Sequence, residues 1–332
     1  MNYFISDGEV TYSRALLFTW ELMSNPTSFL ETNGQFFIKK LEKFLDITNS
    51  PLAVINCNHI IDIDDHALKA IHDFAIEKKV NLIFYSSDNN HLFCNSLQEY
   101  FDNKEANTEI RSISDIGKFF LIKQGSSLNN ECLTTLKSRV ESIENRELIK
   151  LIGSSYVKAE DNFRLTSTPL KASGHFNANV INSDPSSFRW VISLMAEKIQ
   201  HEISKVRYED YTIVASSMRG AAIAASVREV LQYRDNINFQ LLDHFGPKHD
   251  LRNSPFKLGM SEKEKCIYVG DFFIGGTEVK LSQTYCRGLG GELLKVFVLG
   301  KYTNNTNLGN SIQVNSLVQL SDCVDELKYE LI

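Results

Sequence analysis

Two rhythms of apolar and polar positions run along this chain. Phe36–Ile47 carries apolar residues at helical spacing, and Leu52-Ala-Val-Ile-Asn56 follows as a short β-branched run. Asp65–Lys78 repeats Ala67, Leu68, Ile71, Phe74 and Ala75 with charges between them, which predicts an amphipathic helix. Asn81-Leu-Ile-Phe-Tyr85 reads as a second strand, closed by the polar turn Ser86–Asn90, and a helix from about His91 to Phe101 comes next. Strand, helix, strand, helix predicts a β-α-β unit with parallel strands. Residues 103–150 read as polar, turn-like at Gln124–Ser127 and helix-prone around Asn130–Glu147. Thr168–Asn179 reads as a loop with a turn, ahead of an amphipathic helix over about Ser186–Ser204. Beyond it come a strand at Thr212–Ala215, an Ala-rich helix from about Gly220, an apolar strand from Cys266 to Asp271, a helix, and a strand at Leu294–Leu299. The expected organisation is a small α/β domain at 1–125, a helical linker at 126–150 and a larger α/β domain at 151–332.

Composition narrows this picture in three ways. The 332 residues are 43% hydrophobic and 23% charged, enough to build two cores. No apolar run approaches the ~18 residues needed to span a bilayer, and the N-terminus lacks a signal-peptide layout, so the expected location is the cytoplasm. Residues 1–125 hold 11 Lys/Arg and 17 Asp/Glu of the chain's 35 and 41, so the net charge of −6 sits there. Neither part has a basic excess, which argues against a nucleic-acid surface. The six cysteines, Cys57, Cys94, Cys132, Cys266, Cys286 and Cys323, show no metal-ligand spacing, and Cys57 and Cys266 lie in apolar runs that suit a buried small hydrophobe.

The chemistry concentrates at two strand-to-helix turns. Tyr211-Thr-Ile-Val-Ala-Ser-Ser-Met-Arg-Gly220 runs a strand into a helix start, where backbone N–H groups suit an anion. Arg219 adds a guanidinium able to grip phosphate in a fork, and Gly220 lets the backbone approach a ligand closely. Cys266-Ile-Tyr-Val-Gly-Asp-Phe-Phe-Ile-Gly-Gly-Thr277 places Asp271 at the carboxyl end of a strand, where open α/β sheets bind ligands. Gly275, Gly276 and Thr277 offer N–H and O–H donors. Gly276 stands where a nucleoside-triphosphatase loop needs lysine, which excludes that class. Gly288-Leu-Gly-Gly291 reads as a helix C-cap, and His175 and His244 as lone structural or surface groups.

Taken in order, these segments resemble the type I phosphoribosyltransferases, most closely the orotate enzymes, over about residues 150–310. Leu170-Lys171-Ala172-Ser173-Gly174 is similar to the family's "L-K-S-G" segment. Ser217-Met218-Arg219-Gly220-Ala221-Ala222-Ile223-Ala224 is similar to its pyrophosphate loop. Phe245-Gly-Pro-Lys-His-Asp250 falls at its flexible loop, and Val269–Glu278 matches "V-D-D-V-I-T-A-G-T-A" without gaps. The resemblance implies an open parallel sheet with flanking helices and a small hood. It implies 5-phosphoribosyl 1-diphosphate or a nucleotide as ligand, Mg2+ as cofactor, and a homodimer sharing the flexible loop. On it Arg219, Ser217, Met218 and Gly220 would hold pyrophosphate, and Gly275, Gly276 and Thr277 the 5-phosphate. Asp271 would bind the ribose hydroxyls and the metal, Lys248 and His249 would close over the leaving group, and Lys171 and Lys301 would contact substrate.

The sequence also departs from that pattern. Gly270 replaces one of two paired acids, Ile274 replaces a threonine, and Lys301 stands near a base-binding arginine position. Losing one hydroxyl-binding acid costs on the order of 1–3 kcal/mol of binding. Three functions stay open: a transferase, a phosphoribosyl or nucleotide sensor without turnover, and a nucleotide-consuming effector in bacterial stress or phage defence.

In the first domain, residues 52–87 resemble a STAS domain, a regulatory module with an "I-D-S-S-G-L"-like turn. Here the turn reads Ile63-Asp64-Asp65-His66-Ala67-Leu68 and has no hydroxyl. Asp64 and Asp65 read as a helix N-cap with acid in the first turn. This implies a regulatory or protein-contact module with no chemistry of its own.

Overall fold

A computed structural model of the chain describes residues 2–6, 9–13, 21–23, 31–48, 52–57, 62–86, 91–102, 107–113, 117–123, 130–164, 170–204, 210–231, 236–242, 264–302, 307–308, 312–324 and 329–331. They divide into two compact units, Met1–Arg146 and Glu147–Ile332.

In the first unit, β1 (Asn2–Ser6) and β2 (Glu9–Ser13) pair antiparallel. β3 (Glu21–Met23) lies between β4 (Glu31–Asn33) and β6 (Asp62–Ile63) in a short parallel sheet, and α1 (Gly34–Thr48) follows β4. A four-stranded sheet has β5 (Leu52–Asn56) parallel to β7 (Asn81–Ser86), then β9 (Gly117–Ile122) and β8 (Thr108–Ile113) antiparallel. α2 (Asp65–Lys78) connects β6 to β7, and α3 (His91–Asp102) connects β7 to β8. One sheet face puts Ala53, Ile55, Leu82, Phe84 and Phe120 against α1, α2 and α3. The other puts Val54, Ile83, Tyr85, Phe119 and Leu121 against Leu133, Leu136 and Val140 of α4 (Asn130–Gly153). The strands β8 and β9 correct the reading of residues 103–125 as polar connection. Phe119-Phe-Leu-Ile122 is buried on both faces, so it shows no alternation to betray a strand.

In the second unit, β10 (Tyr156–Arg164), β11 (Leu170–Phe176) and β18 (Tyr329–Leu331) form a small antiparallel sheet. The expected loop at Thr168–Asn179 is therefore mostly strand. Its Gly174 sits under the Tyr156 ring, where a Cβ would come within 2.4 Å of that ring. α5 (Ala178–Asn182) and α6 (Pro185–Ser204) lead into the main sheet, and α6 buries Trp190, Met195 and Ile199.

The main sheet runs β13 (Asn236–Leu241), β12 (Asp210–Ala215), β14 (Lys265–Phe273), β15 (Glu292–Lys301), β17 (Ile312–Gln319) and β16 (Asn307–Leu308). All pairs are parallel except β16 with β17. α7 (Met218–Leu231) follows β12, α8 (Thr277–Gly288) follows β14, and α9 (Leu320–Cys323) follows β17. Val279 and Cys286 of α8 pack on Cys266, Tyr268, Val296, Val298 and Val314. The expected C-cap is present: Gly290 has φ 95° and the Gly291 N–H donates to the Cys286 carbonyl at 2.8 Å. Among the described residues, no helix is long and apolar enough to cross a membrane.

Candidate functional site

The strand order fixes where a ligand can enter. From β12 the chain moves outward to β13, then returns past β12 to β14 and continues through β15 and β17. The direction of winding reverses between β12 and β14, so the loops leaving their carboxyl ends diverge and leave a crevice. Those loops, Ser216–Ser217 and Ile274–Gly276, are the two turns singled out in the sequence.

Each turn has its own local cause. Ser217 Oγ accepts the Gly220 N–H at 3.0 Å and sets the first turn of α7, which begins at Met218. A Cβ on Gly220 would meet Gly270 Cα at 3.5 Å and the Val269 carbonyl oxygen at 3.6 Å, so α7 lies close against β14. Gly276 is the N-cap of α8 at φ 72°, a conformation that glycine adopts at little cost, and no side chain caps that helix. The N–H groups of its first turn are therefore left for another acceptor.

Asp271 stands between the turns. Its Oδ1 accepts the Phe272 N–H at 2.8 Å, and its Oδ2 lies 3.5 Å from Arg219 Nε. The guanidinium is 50% exposed and the carboxylate 15%, so Arg219 is available to a ligand while Asp271 is held.

Sequence reasoning missed the side chains beneath this pair. Tyr268 and Gly270 point to the same face of β14, and the Tyr268 ring covers the position a side chain at 270 would need. A Cβ there would lie 2.7 Å from Tyr268 Cε1. The Tyr268 hydroxyl lies 2.9 Å from Ser216 Oγ and donates a long hydrogen bond to Glu278 Oε2 at 3.5 Å. Burial, followed by the Asp271 carboxylate, pushes the Glu278 carboxyl above the ordinary carboxylate range. Burial, followed by Glu278, pushes the Tyr268 phenol up as well. Two signals could have revealed the group: the period-2 relation of Tyr268 to Gly270, and an acid directly after Gly275-Gly-Thr277.

Of the remaining sequence candidates, Met218, Gly275 and Thr277 lie at the two turns, and Lys171 and Lys301 stand on other strands. Met218 is 78% exposed beside Arg219, and Gly275 is exposed at the α8 turn. Thr277 is the first residue of α8. Lys171 is exposed on β11, opposite Arg164 and Glu330. Lys301 is buried, and its ammonium donates to the Val314 carbonyl at 3.4 Å, toward β17 and not β14. Lys248 and His249 lie outside the described residues. Over the β14 end, Phe272 meets Phe176 of β11 with ring centroids 5.1 Å apart.

Among the described residues no three His, Cys, Asp or Glu side chains group to cage a metal. A Mg2+ ion that arrives with phosphate oxygens needs only one or two carboxylates, and Asp271, whose Oδ2 faces the exposed Arg219, is the carboxylate that would meet that lesser requirement.

No family model matches the chain, and no curated protein matches it in sequence. Solved structures do match over about half of the chain. The adenine phosphoribosyltransferase of Thermoanaerobacter pseudethanolicus is 14% identical, with a TM-score of 0.40 over 53% of this chain and 99% of that one. The orotate phosphoribosyltransferase of Aeropyrum pernix is 15% identical, with a TM-score of 0.40 over 54% and 98%. A phosphoribosyltransferase of Corynebacterium diphtheriae is 14% identical, with a TM-score of 0.38 over 55% and 98%. None of these likenesses assigns a residue or a reaction to this chain.

Proposed function

We propose that the second unit binds 5-phosphoribosyl 1-diphosphate with Mg2+ and transfers the phosphoribosyl group to a base, releasing pyrophosphate. The observation that carries this reading is the Arg219–Asp271 pair at the winding reversal, between the starts of α7 and α8. An exposed guanidinium and the α7 N-terminus favour the diphosphate on one side. The uncapped N–H groups of α8 favour the 5-phosphate on the other, and Asp271 between them accepts from ribose hydroxyls.

As the C1–oxygen bond to pyrophosphate breaks, positive charge develops on the ribose and negative charge on the leaving group. A base nitrogen then forms the new bond at C1. Arg219 is placed to stabilise the leaving charge, and Asp271 to fix the sugar and favour the cationic ring. Mg2+, held by the ligand's own phosphates and by Asp271, would neutralise diphosphate charge.

Binding without turnover is the second reading. It is favoured by Gly270, which leaves one acid out of the sugar's position, and by the Tyr268 ring, which lies 2.7 Å from where a Cβ at 270 would stand.

Calorimetric titration with 5-phosphoribosyl 1-diphosphate, with and without Mg2+, tests the common part. Saturable binding that falls at least tenfold in Arg219→Ala is the expected result. No heat from folded protein at millimolar ligand would end both readings. Pyrophosphate release with a panel of bases, lost in Asp271→Ala, separates transferase from sensor.

A further inference from the structure

Away from the crevice, the sheet face that α6 covers carries an excess of positive charge. Residues opposite each other in the β15–β17 ladder point to one face, so Lys295, Phe297 and Lys301 lie on the same face as Asn315. The Lys295 ammonium meets the Glu202 carboxylate of α6 at 2.6 Å, which marks this face as the one turned to α6. One turn earlier on α6, the half-buried Lys198 donates to the Ser316 carbonyl at 2.5 Å. The buried Lys301 donates to the Val314 carbonyl at 3.4 Å. In these contacts three ammoniums meet one carboxylate, and Lys295 holds it.

The two carbonyls flank Asn315. Carbonyls two residues apart on a strand stand about 7 Å from each other, so the ammoniums that meet them frame the Asn315 side chain. Asn315 is 9% exposed, and its Nδ2 is buried with no hydrogen-bond partner among the described residues. Each ammonium has three donors and, among the described residues, one acceptor. Buried donors are ordinarily paired, and buried cations are ordinarily matched by an anion. Here both needs fall at one residue. Burial, followed by the charge of Lys301, holds the Lys198 ammonium below the ordinary lysine range.

We propose that Lys198, Lys301 and Asn315 form a second binding site of this unit, for one small oxyanion of the phosphate or sulfate kind. Its oxygens accept from both ammoniums and from the Asn315 amide, and no covalent bond forms. The charge-assisted bonds to two ammoniums on opposite sides suit an anion with several acceptor atoms better than chloride. An occupant ties α6 to β17 and so stabilises the folded unit by mass action. The cluster stands at β15 and β17, whereas the crevice opens between β12 and β14, so this site does not depend on the phosphoribosyl reading.

The experiment uses the full chain carrying Arg219→Ala, which weakens the crevice, titrated calorimetrically with sulfate against chloride at equal ionic strength. One saturable sulfate site is the expected result, with no counterpart in chloride. Lys198→Gln keeps a donor for the Ser316 carbonyl but loses the charge, and it should lower sulfate affinity at least tenfold. Asn315→Leu removes the buried amide and should lower it as well, while Lys198→Arg should retain binding. Denaturant midpoints supply the second readout. Sulfate stabilises proteins in general by exclusion from their surface, so the quantity read is the saturable part of the rise, which Lys198→Gln should lack. Equal sulfate affinity with and without Lys198→Gln would overturn the inference, as would no saturable binding by folded protein. Loss of binding in Lys198→Arg too would give the lysine a packing role and overturn it as well. The phosphate reading above stands or falls separately from all of these outcomes.

Discussion

The starts of α2 and α8 follow the same plan, a strand running through a short turn into a helix, and they end in opposite states. At α2 the N-cap is Asp64 in extended conformation, and its Oδ1 accepts the Ala67 N–H at 2.6 Å. At α8 the N-cap is Gly276 in left-handed conformation, with no side chain to accept anything. The first helix closes its own terminus, whereas the second leaves its donors open. Position in the sheet completes the contrast. α8 leaves β14 beside a reversal of winding, and α2 leaves a two-residue strand in a short sheet whose strands are all parallel. A turn becomes a ligand site when it is open and when the topology gives it a crevice. The α8 turn meets both conditions.

The sharpest way to break this comparison is to give α8 the cap that α2 has. Gly276→Asp places a carboxylate at the first-turn amides and forces a non-glycine residue to φ 72°. The strain costs about 1–3 kcal/mol, and the added charge repels a phosphate. Binding of 5-phosphoribosyl 1-diphosphate should drop by more than tenfold in calorimetric titration, with a lowered unfolding midpoint. Retained affinity would mean that α8 does not hold the ligand.

A second test concerns the missing acid. Gly270→Asp restores the sequence pattern but drives a Cβ to 2.7 Å from the Tyr268 ring, which is packed in the α8 core. Overpacking of this kind costs about 1–3 kcal/mol. Denaturant unfolding should show the loss, with no gain in ligand affinity. A stable, tighter-binding variant would show that Tyr268 yields and that one residue separates this site from a paired-acid one.

The converse test falls on the closed turn. Asp64→Ala removes the cap of α2 and costs about 1 kcal/mol. Hydrogen exchange should quicken in the first turn of α2, while pyrophosphate affinity stays unchanged.

The parts of this architecture that were legible in the sequence are those written in local grammar. An apolar run leading into a short turn and a helix start marked β12 and β14, and Asp65–Lys78 buries the five apolar residues its spacing selected. Arg219 and Asp271 were chosen separately and meet at 3.5 Å. What the sequence concealed depends on contacts between distant segments. Leu170–Phe176 carries Ser173 and Gly174, poor strand formers, and becomes a strand because β10 and β18 pair with it on either side. Ser216, Tyr268 and Glu278 share a polar cluster because the short α7–β14 approach at Gly220 and Gly270 brings β12, β14 and α8 together. No spacing rule within one segment encodes that meeting.

The smallest expected effect is also the one that reads Glu278 without any ligand. Its carboxyl titrates above the ordinary range in the folded chain, chiefly through burial, so the folded state holds the proton more tightly than the unfolded state does. Between the ordinary carboxylate value and the raised folded one, the native protein binds more protons, and stability falls as pH rises. Below that window the contribution is level, and above it the full penalty of an ionised, half-buried acid beside Asp271 is present. Glu278→Gln removes the titration, so its stability relative to wild type should increase as pH rises through the window and then stay level. The α2 turn offers the contrast within the same chain. Asp64 accepts a backbone N–H at the surface of its helix, and Asp64→Asn keeps a capping oxygen there, so the relative stability of that variant should not follow the Glu278 window. Denaturant midpoints of wild type and the two variants, measured over the same pH series, decide the matter: a flat difference for Glu278→Gln would mean that its carboxyl is solvated and ordinary, and that the floor of the crevice is wet.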